Sequence, residues 1–102
     1  MKTIYISGQI TGLNIKDAHQ LFEIAENDLK ELGLTVVNPT KLEHNHGKTW
    51  AEYMKEDIKA LCDCDSIYML HNWKKSTGAN IEHALAKDLG LKVIYQQSSL
   101  VY

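Results

Sequence analysis

The sequence predicts a single α/β domain, a three-layer sandwich with helices on both faces of a four- to five-stranded, mostly parallel sheet. Three observations carry this. Short apolar runs alternate with longer stretches of helical period. The short runs are apolar on both sides, as strands buried between two layers must be. Their order reads β-α-β-α-β-α-β, which favours parallel pairing through helical crossovers. A length of 102 residues leaves room for one domain, 1–102, and no second.

Each element has a local reason. Ile4 to Ile6 reads as the first strand. From about Ile15 to Leu32, Ala18, Leu21, Phe22, Ala25 and Leu29 recur at spacings of three and four, a helix that Gly33 is placed to stop. Leu34 to Val37 is the second strand. Asn38 to Lys48 is the longest irregular segment and holds the only proline, Pro39; so long a loop in so small a domain is often functional. A second helix runs from about Trp50 to Leu61, with Thr49 as N-cap and Glu52 in its first turn. The tight connection Cys62 to Asp65 leads to the third strand, Ile67 to Leu70. A third helix spans about Gly78 to Leu89, with Gly90 as its stop, and Leu91 to Tyr95 forms the last strand. The tail, Gln96 to Tyr102, has no clear period. Together these elements describe a small flavodoxin-like or Rossmann-like sandwich.

Composition narrows the function. The chain is 44% hydrophobic and 24% charged with a net charge of −2, and it has no basic run, so duplex nucleic acid and anionic membranes are poor partners. No run approaches the roughly 20 apolar residues of a membrane span. Met1 to Ser7 is too short and too soon interrupted for a secretion signal. Cys62 and Cys64 are one residue apart, a poor disulfide spacing, and together with His44 and His46 they do not make a metal-ligand pattern. A cytoplasmic, thiol-reduced protein without a metal or cofactor is expected, with both cysteines as small core residues.

In an open parallel sheet, ligands bind beyond the carboxyl ends of the strands. That rule selects the loops Ser7 to Asn14, Asn38 to Thr49 and His71 to Thr77. The first, with Ser7, Gly8, Gln9 and Ile10, has glycines that fit either a tight strand-to-helix turn, the commoner use of such a pattern, or a backbone that approaches a phosphate or sugar. On the second helix, taking Trp50 as zero, Tyr53 falls near about −60°, Met54 near about 40° and Leu61 near about 20°. Asp57 falls at about −20°, in the middle of that apolar stripe, where a carboxylate needs a partner or a solvated cleft. In Ser76-Thr77-Gly78-Ala79-Asn80-Ile81-Glu82, Ser76 or Thr77 caps the third helix and Gly78 allows close approach to a ligand. Glu82 is expected to stay ionised near the positive end of that helix, as a nucleophile toward an electrophilic carbon. Trp73, Lys74 and Lys75 read either as a solvated loop or as an aromatic wall with a cationic phosphate contact.

Four elements taken in order are Tyr5-x-Ser7-Gly8, Asp57, Cys64-Asp65 and Ser76-x-Gly78-x-x-x-Glu82. This set resembles the nucleoside 2-deoxyribosyltransferase superfamily, which includes the 2'-deoxynucleoside 5'-phosphate N-hydrolases. The likeness runs from Lys2 to Tyr95 and is nearest to small proteins of phages and bacteria. It implies a flavodoxin-like homodimer or higher homo-oligomer that needs no cofactor and acts on the N-glycosidic bond of a small-molecule nucleoside or nucleotide. By that resemblance Glu82 is the nucleophile at C1', Asp57 the second carboxylate, and Tyr5 the group that orients Glu82. Gly8, Ser76 and Gly78 contact the sugar 5' end or its phosphate. Gln9 and Thr11 stand where the monophosphate hydrolases tend to carry a serine and an arginine, so phosphate contact would fall to Lys74 or Lys75. An alternative of another class is a non-catalytic protein that holds a nucleotide or nucleotide signal in the same pocket.

Overall fold

A computed structural model describes residues 2–42 and 49–97. The expected His44 and His46 loop segment and the tail beyond Gln97 lie outside the described residues. The elements are β1 (Thr3–Ser7), α1 (Ile15–Glu31), β2 (Thr35–Val37), α2 (Trp50–Cys62), β3 (Ser66–Met69), α3 (Thr77–Asp88) and β4 (Lys92–Tyr95). Single 3-10 turns at Pro39–Lys41 and Trp73–Lys75 were not visible in the apolar pattern. The sheet is four-stranded and wholly parallel in the order β2-β1-β3-β4, which is a flavodoxin-like arrangement.

The strand alternation sorts side chains into two cores. Ile4 and Ile6 of β1 pack with Phe22, Ala25 and Leu29 of α1 on one face. Tyr5, Ile67 and Met69 face the other way, among Leu61 of α2 and Ala79 and Ala86 of α3. One helix therefore covers one face and two cover the other. The helix ends follow from local chemistry. Asn14, Thr49 and Ser76 each accept a backbone N–H in the first turn of α1, α2 and α3, and Thr49 forms a full capping box with Glu52. Gly33 and Gly90, at φ of +84° and +77°, close α1 and α3 in Schellman-type bonding, with Leu34 N–H on Leu29 and Leu91 N–H on Ala86.

At the amino ends of the strands, the Asp65 carboxylate accepts the Thr3 N–H at 3.0 Å and fixes the start of β1. Of the two cysteines expected in the core only Cys64 is buried; Cys62 sits at the outer end of α2 and is exposed. No helix among the described residues is long and apolar enough to cross a membrane.

Candidate active site

The carboxyl ends of the strands open into a cavity of about 650 Å³, a size suited to a small ligand. β1 delivers Tyr5 and Ser7 to its floor, and α3 lowers Glu82 between them. The Tyr5 hydroxyl donates to Glu82 Oε2 at 2.7 Å and the Ser7 hydroxyl to Oε1 at 2.6 Å. All three groups are buried. Burial raises the Glu82 pKa to about 7; the bonds from Ser7 and Tyr5 pull it down, and the nearby Asp57 charge pushes it up. The expectation that the helix dipole keeps Glu82 fully ionised is therefore corrected: desolvation outweighs the dipole, because the side chain is 5% exposed and lies beyond the first turn. Tyr5 is held well above its ordinary value by burial, then by the charges of Glu82 and Asp57, so the phenol keeps its proton and acts as donor.

Asp57 is half-buried and lines the same cavity from α2. Trp50 and Tyr53 stand with it, and Trp50 is 50% exposed. The apolar stripe of α2 is thus partly the wall of the cavity rather than core. Across from it, Ile15 and His19 of α1 and the Pro39–Thr40 turn complete the rim, while Lys75, Ser76 and Thr77 close the side above α3.

The structure gathers Tyr5, Ser7, Gly8, Ile10, Asp57, Ser76, Gly78 and Glu82 around this one space. Gln9, Trp73 and Lys74 do not line it. Gln9 braces the first loop, its N–H on Asn72 Oδ1 and its side-chain amide on the Thr11 carbonyl. Trp73 stacks on His83 at 4.2 Å between ring centres, with Lys74 Nζ 5.9 Å from its ring centre. Both belong to a shallower hollow with His71, Tyr95 and Gln96. Among the described residues, Trp50 and Tyr53 give the main cavity an aromatic wall, and its lysine is Lys75.

Two glycines read as openings for a ligand have another use. A Cβ on Gly8 would stand 2.6 to 2.9 Å from side-chain atoms of Leu70, so the missing side chain makes room for the end of β3. A Cβ on Gly78 would meet Met54 Sδ at 3.0 Å, so this glycine lets α2 and α3 approach. In both cases the space is taken by protein.

A family model described as a domain of unknown function, DUF4406, matches residues 2–95. The chain belongs to that family. The DUF4406 match runs from the start of β1 to the end of β4, so each element that supplies a cavity residue lies within it. No curated protein matches the chain.

Sequence reasoning missed a second buried carboxylate in this DUF4406 domain. Glu26 of α1 accepts from Lys30 Nζ at 2.7 Å, Lys41 Nζ at 2.9 Å and Asn38 Nδ2 at 3.0 Å. Its spacing from Lys30 gives an ordinary i,i+4 pair, and nothing local points to Asn38 and Lys41, which arrive through the β2 connection.

Proposed function

We propose that this protein cleaves or transfers at the N-glycosidic bond of a nucleoside, deoxynucleoside or nucleoside 5'-monophosphate, with Glu82 as nucleophile. The observation that carries the reading is a buried carboxylate, bonded by a hydroxyl on each oxygen, at the floor of a cavity that also holds a second carboxylate. Among the described residues no lysine, arginine or histidine forms an ion pair with Glu82. Its charge thus remains available to a developing cation. The likeness of Tyr5-x-Ser7-Gly8, Asp57 and Ser76-x-Gly78-x-x-x-Glu82 to the nucleoside 2-deoxyribosyltransferase superfamily supports the same reading.

Breaking a C1'–N bond passes through an oxocarbenium-like state, which a carboxylate below C1' stabilises or captures. In the forward step a Glu82 oxygen bonds to C1', and the C1'–N electron pair leaves with the base, which takes up a proton from solvent; the acceptor of the second step returns one to solvent. Asp57, on the α2 wall, is the group assigned to hold that base or the sugar. Water or a second base then displaces Glu82 from C1'. Trp50 and Tyr53 offer flat apolar surface for a base, and Lys75 with Ser76 and Thr77 offers polar contacts for the sugar 5' end. Ionised Glu82 is the reactive form, so the step draws on the fraction present above a pH of about 7.

The test is release of free base, followed by chromatography, from a panel of ribo- and deoxynucleosides and their 5'-monophosphates. Release that Glu82→Gln abolishes supports the reading. Tight binding of a panel member by calorimetry, with the compound intact after prolonged incubation, supports a holding protein instead.

A further inference from the structure

Glu26 lies outside the cavity, yet it is 4% exposed and carries three donors on one carboxylate. Burial alone would raise its pKa, but the bonds from Lys30, Lys41 and Asn38 bring it down to about 2, so it only accepts. An acceptor at this point sets the sense of the neighbouring bonds. The Asn38 amide must turn its NH2 toward Glu26, and its Oδ1 toward Thr40, whose N–H donates at 3.0 Å and whose hydroxyl donates at 2.6 Å. The one hydroxyl proton of Thr40 is thereby committed, and only its lone pairs remain. Pro39 and Thr40 line the cavity, and α1, which carries Glu26, lines it with Ile15 and His19. A single chain of hydrogen bonds therefore ties the helix wall to the turn wall.

We infer that Glu26 is a positioning residue for the cavity: through Asn38 it fixes the Pro39–Lys41 turn against α1 and sets the Thr40 hydroxyl as an acceptor for a hydrogen-bond donor on the bound ligand. Its kinetic readout rests on the proposed nucleoside chemistry. The lysines partnering Glu26 are also withdrawn from the cavity, so neither substitutes for Lys75 toward a ligand.

The experiment compares Glu26→Gln, Thr40→Val and Thr40→Ser with the parent, using 2'-deoxyadenosine and its 5'-monophosphate as probes. Glu26→Gln removes the charge that orients Asn38, and Thr40→Val removes the acceptor together with the hydroxyl's own bond to Asn38 Oδ1, leaving the Thr40 N–H bond to Asn38 in place. Both are expected to raise KM, or the calorimetric Kd, by about tenfold or more while kcat changes far less, the scale of one or two lost hydrogen bonds. Thr40→Ser, which keeps the hydroxyl, is expected to lie closer to the parent than Thr40→Val. Folded Glu26→Gln and Thr40→Val proteins with parental KM and Kd overturn the inference. If Glu26→Gln does not fold, Thr40→Val carries the test, since it leaves the Glu26 contacts intact. If the parent neither cleaves nor binds these probes or any other member of the nucleoside and monophosphate panel, it is the nucleoside reading that fails. The role of Glu26 is then measured in a Trp73→Phe background, where Trp50 reports the cavity by acrylamide quenching. Glu26→Gln must increase that quenching, and unchanged quenching overturns the role.

Discussion

The Tyr5 phenol and the Glu82 carboxylate, 77 positions apart in the chain, meet at 2.7 Å with the phenol donating. Both are buried, so the bond is a charge-assisted one in a poorly screened setting. It stabilises the ionised form of Glu82 against the burial that favours the neutral one.

Removing that donor gives the first prediction. In Tyr5→Phe one carboxylate oxygen loses its partner, and the anion is disfavoured further. A hydrogen bond to a charged group is worth about 1.5 kcal/mol or more, roughly one pH unit of titration. The rising limb of the pH–rate profile, expected near 7 in the parent, should move up by about one unit. Turnover at pH 7 should fall about fivefold, because the ionised fraction of Glu82 drops from about one half to about one tenth. A limb that stays in place would separate Tyr5 from the ionisation of Glu82.

The two buried carboxylates act on stability with opposite sign. Glu82 has a folded pKa of about 7 against an ordinary 4.5, so the folded state binds more protons. Its contribution is fully present below 4.5 and is lost as pH rises through 7, on the order of 3 kcal/mol in all. Glu26, lowered to about 2, contributes above 4.5 and loses that contribution as pH falls toward 2. The thermal midpoint should therefore peak near pH 5, fall below pH 4 and fall again between pH 5 and 8. Glu82→Gln should abolish the upper fall and melt several degrees above the parent at pH 8, while being inactive. Scanning calorimetry of the two proteins across pH decides this.

The fold was legible because its signals are local. Periodicity marked α1, α2 and α3, and Gly33 and Gly90 closed two of them where the structure closes them. The strand order β2-β1-β3-β4 agrees with parallel pairing through helical crossovers, but the apolar pattern alone did not specify it. Of the two acids, Asp57 stood out locally because it interrupts an apolar stripe. Glu82, near a helix start, has an ordinary helix-dipole explanation and gained weight only in combination with the other motifs. Both line the cavity. What failed was long-range. Trp73 and Lys74 looked like a wall because they follow β3, but the 3-10 turn sends Trp73 onto His83 at 4.2 Å. The Glu26 contacts join α1 to a turn beyond β2, and no spacing rule reports such a meeting. Glycine misled for a related reason: absence of a side chain does not say whether Leu70, Met54 or a ligand fills the room.

Gly8 gives a packing prediction. A methyl group there would overlap Leu70 by a margin that rotamer changes alone do not relieve, because both residues are buried and Leu70 N–H bonds to the Ser7 carbonyl at 2.8 Å. Gly8→Ala should destabilise by about 1–3 kcal/mol, the usual range for overpacking. Adding Leu70→Ala should restore part of the loss at this contact despite its own cavity cost, giving a favourable coupling in a double-mutant cycle. Additive losses in denaturant titrations would show that the two side chains do not compete for the same space.

The last prediction concerns the electrostatic link between the two acids of the cavity. The Asp57 charge raises the pKa of Glu82 and also of Tyr5, so the two carboxylates lie close enough to repel. Asp57→Asn keeps the shape and removes the charge. Glu82 should then ionise at lower pH, because burial remains but the like charge is gone. A carbon-13 titration of the Glu82 carboxyl reads this directly, with or without substrate. If Asp57 also serves the leaving base, activity falls even though more Glu82 is ionised at pH 7. The two effects run in opposite directions, which is what makes the variant informative. A nucleophile made more available in a slower enzyme assigns Asp57 to the departing base or sugar. An enzyme accelerated in proportion to the ionised fraction assigns it only to tuning Glu82. A Glu82 titration that does not move at all means the two charges do not interact across the cavity, and the case for a shared site fails.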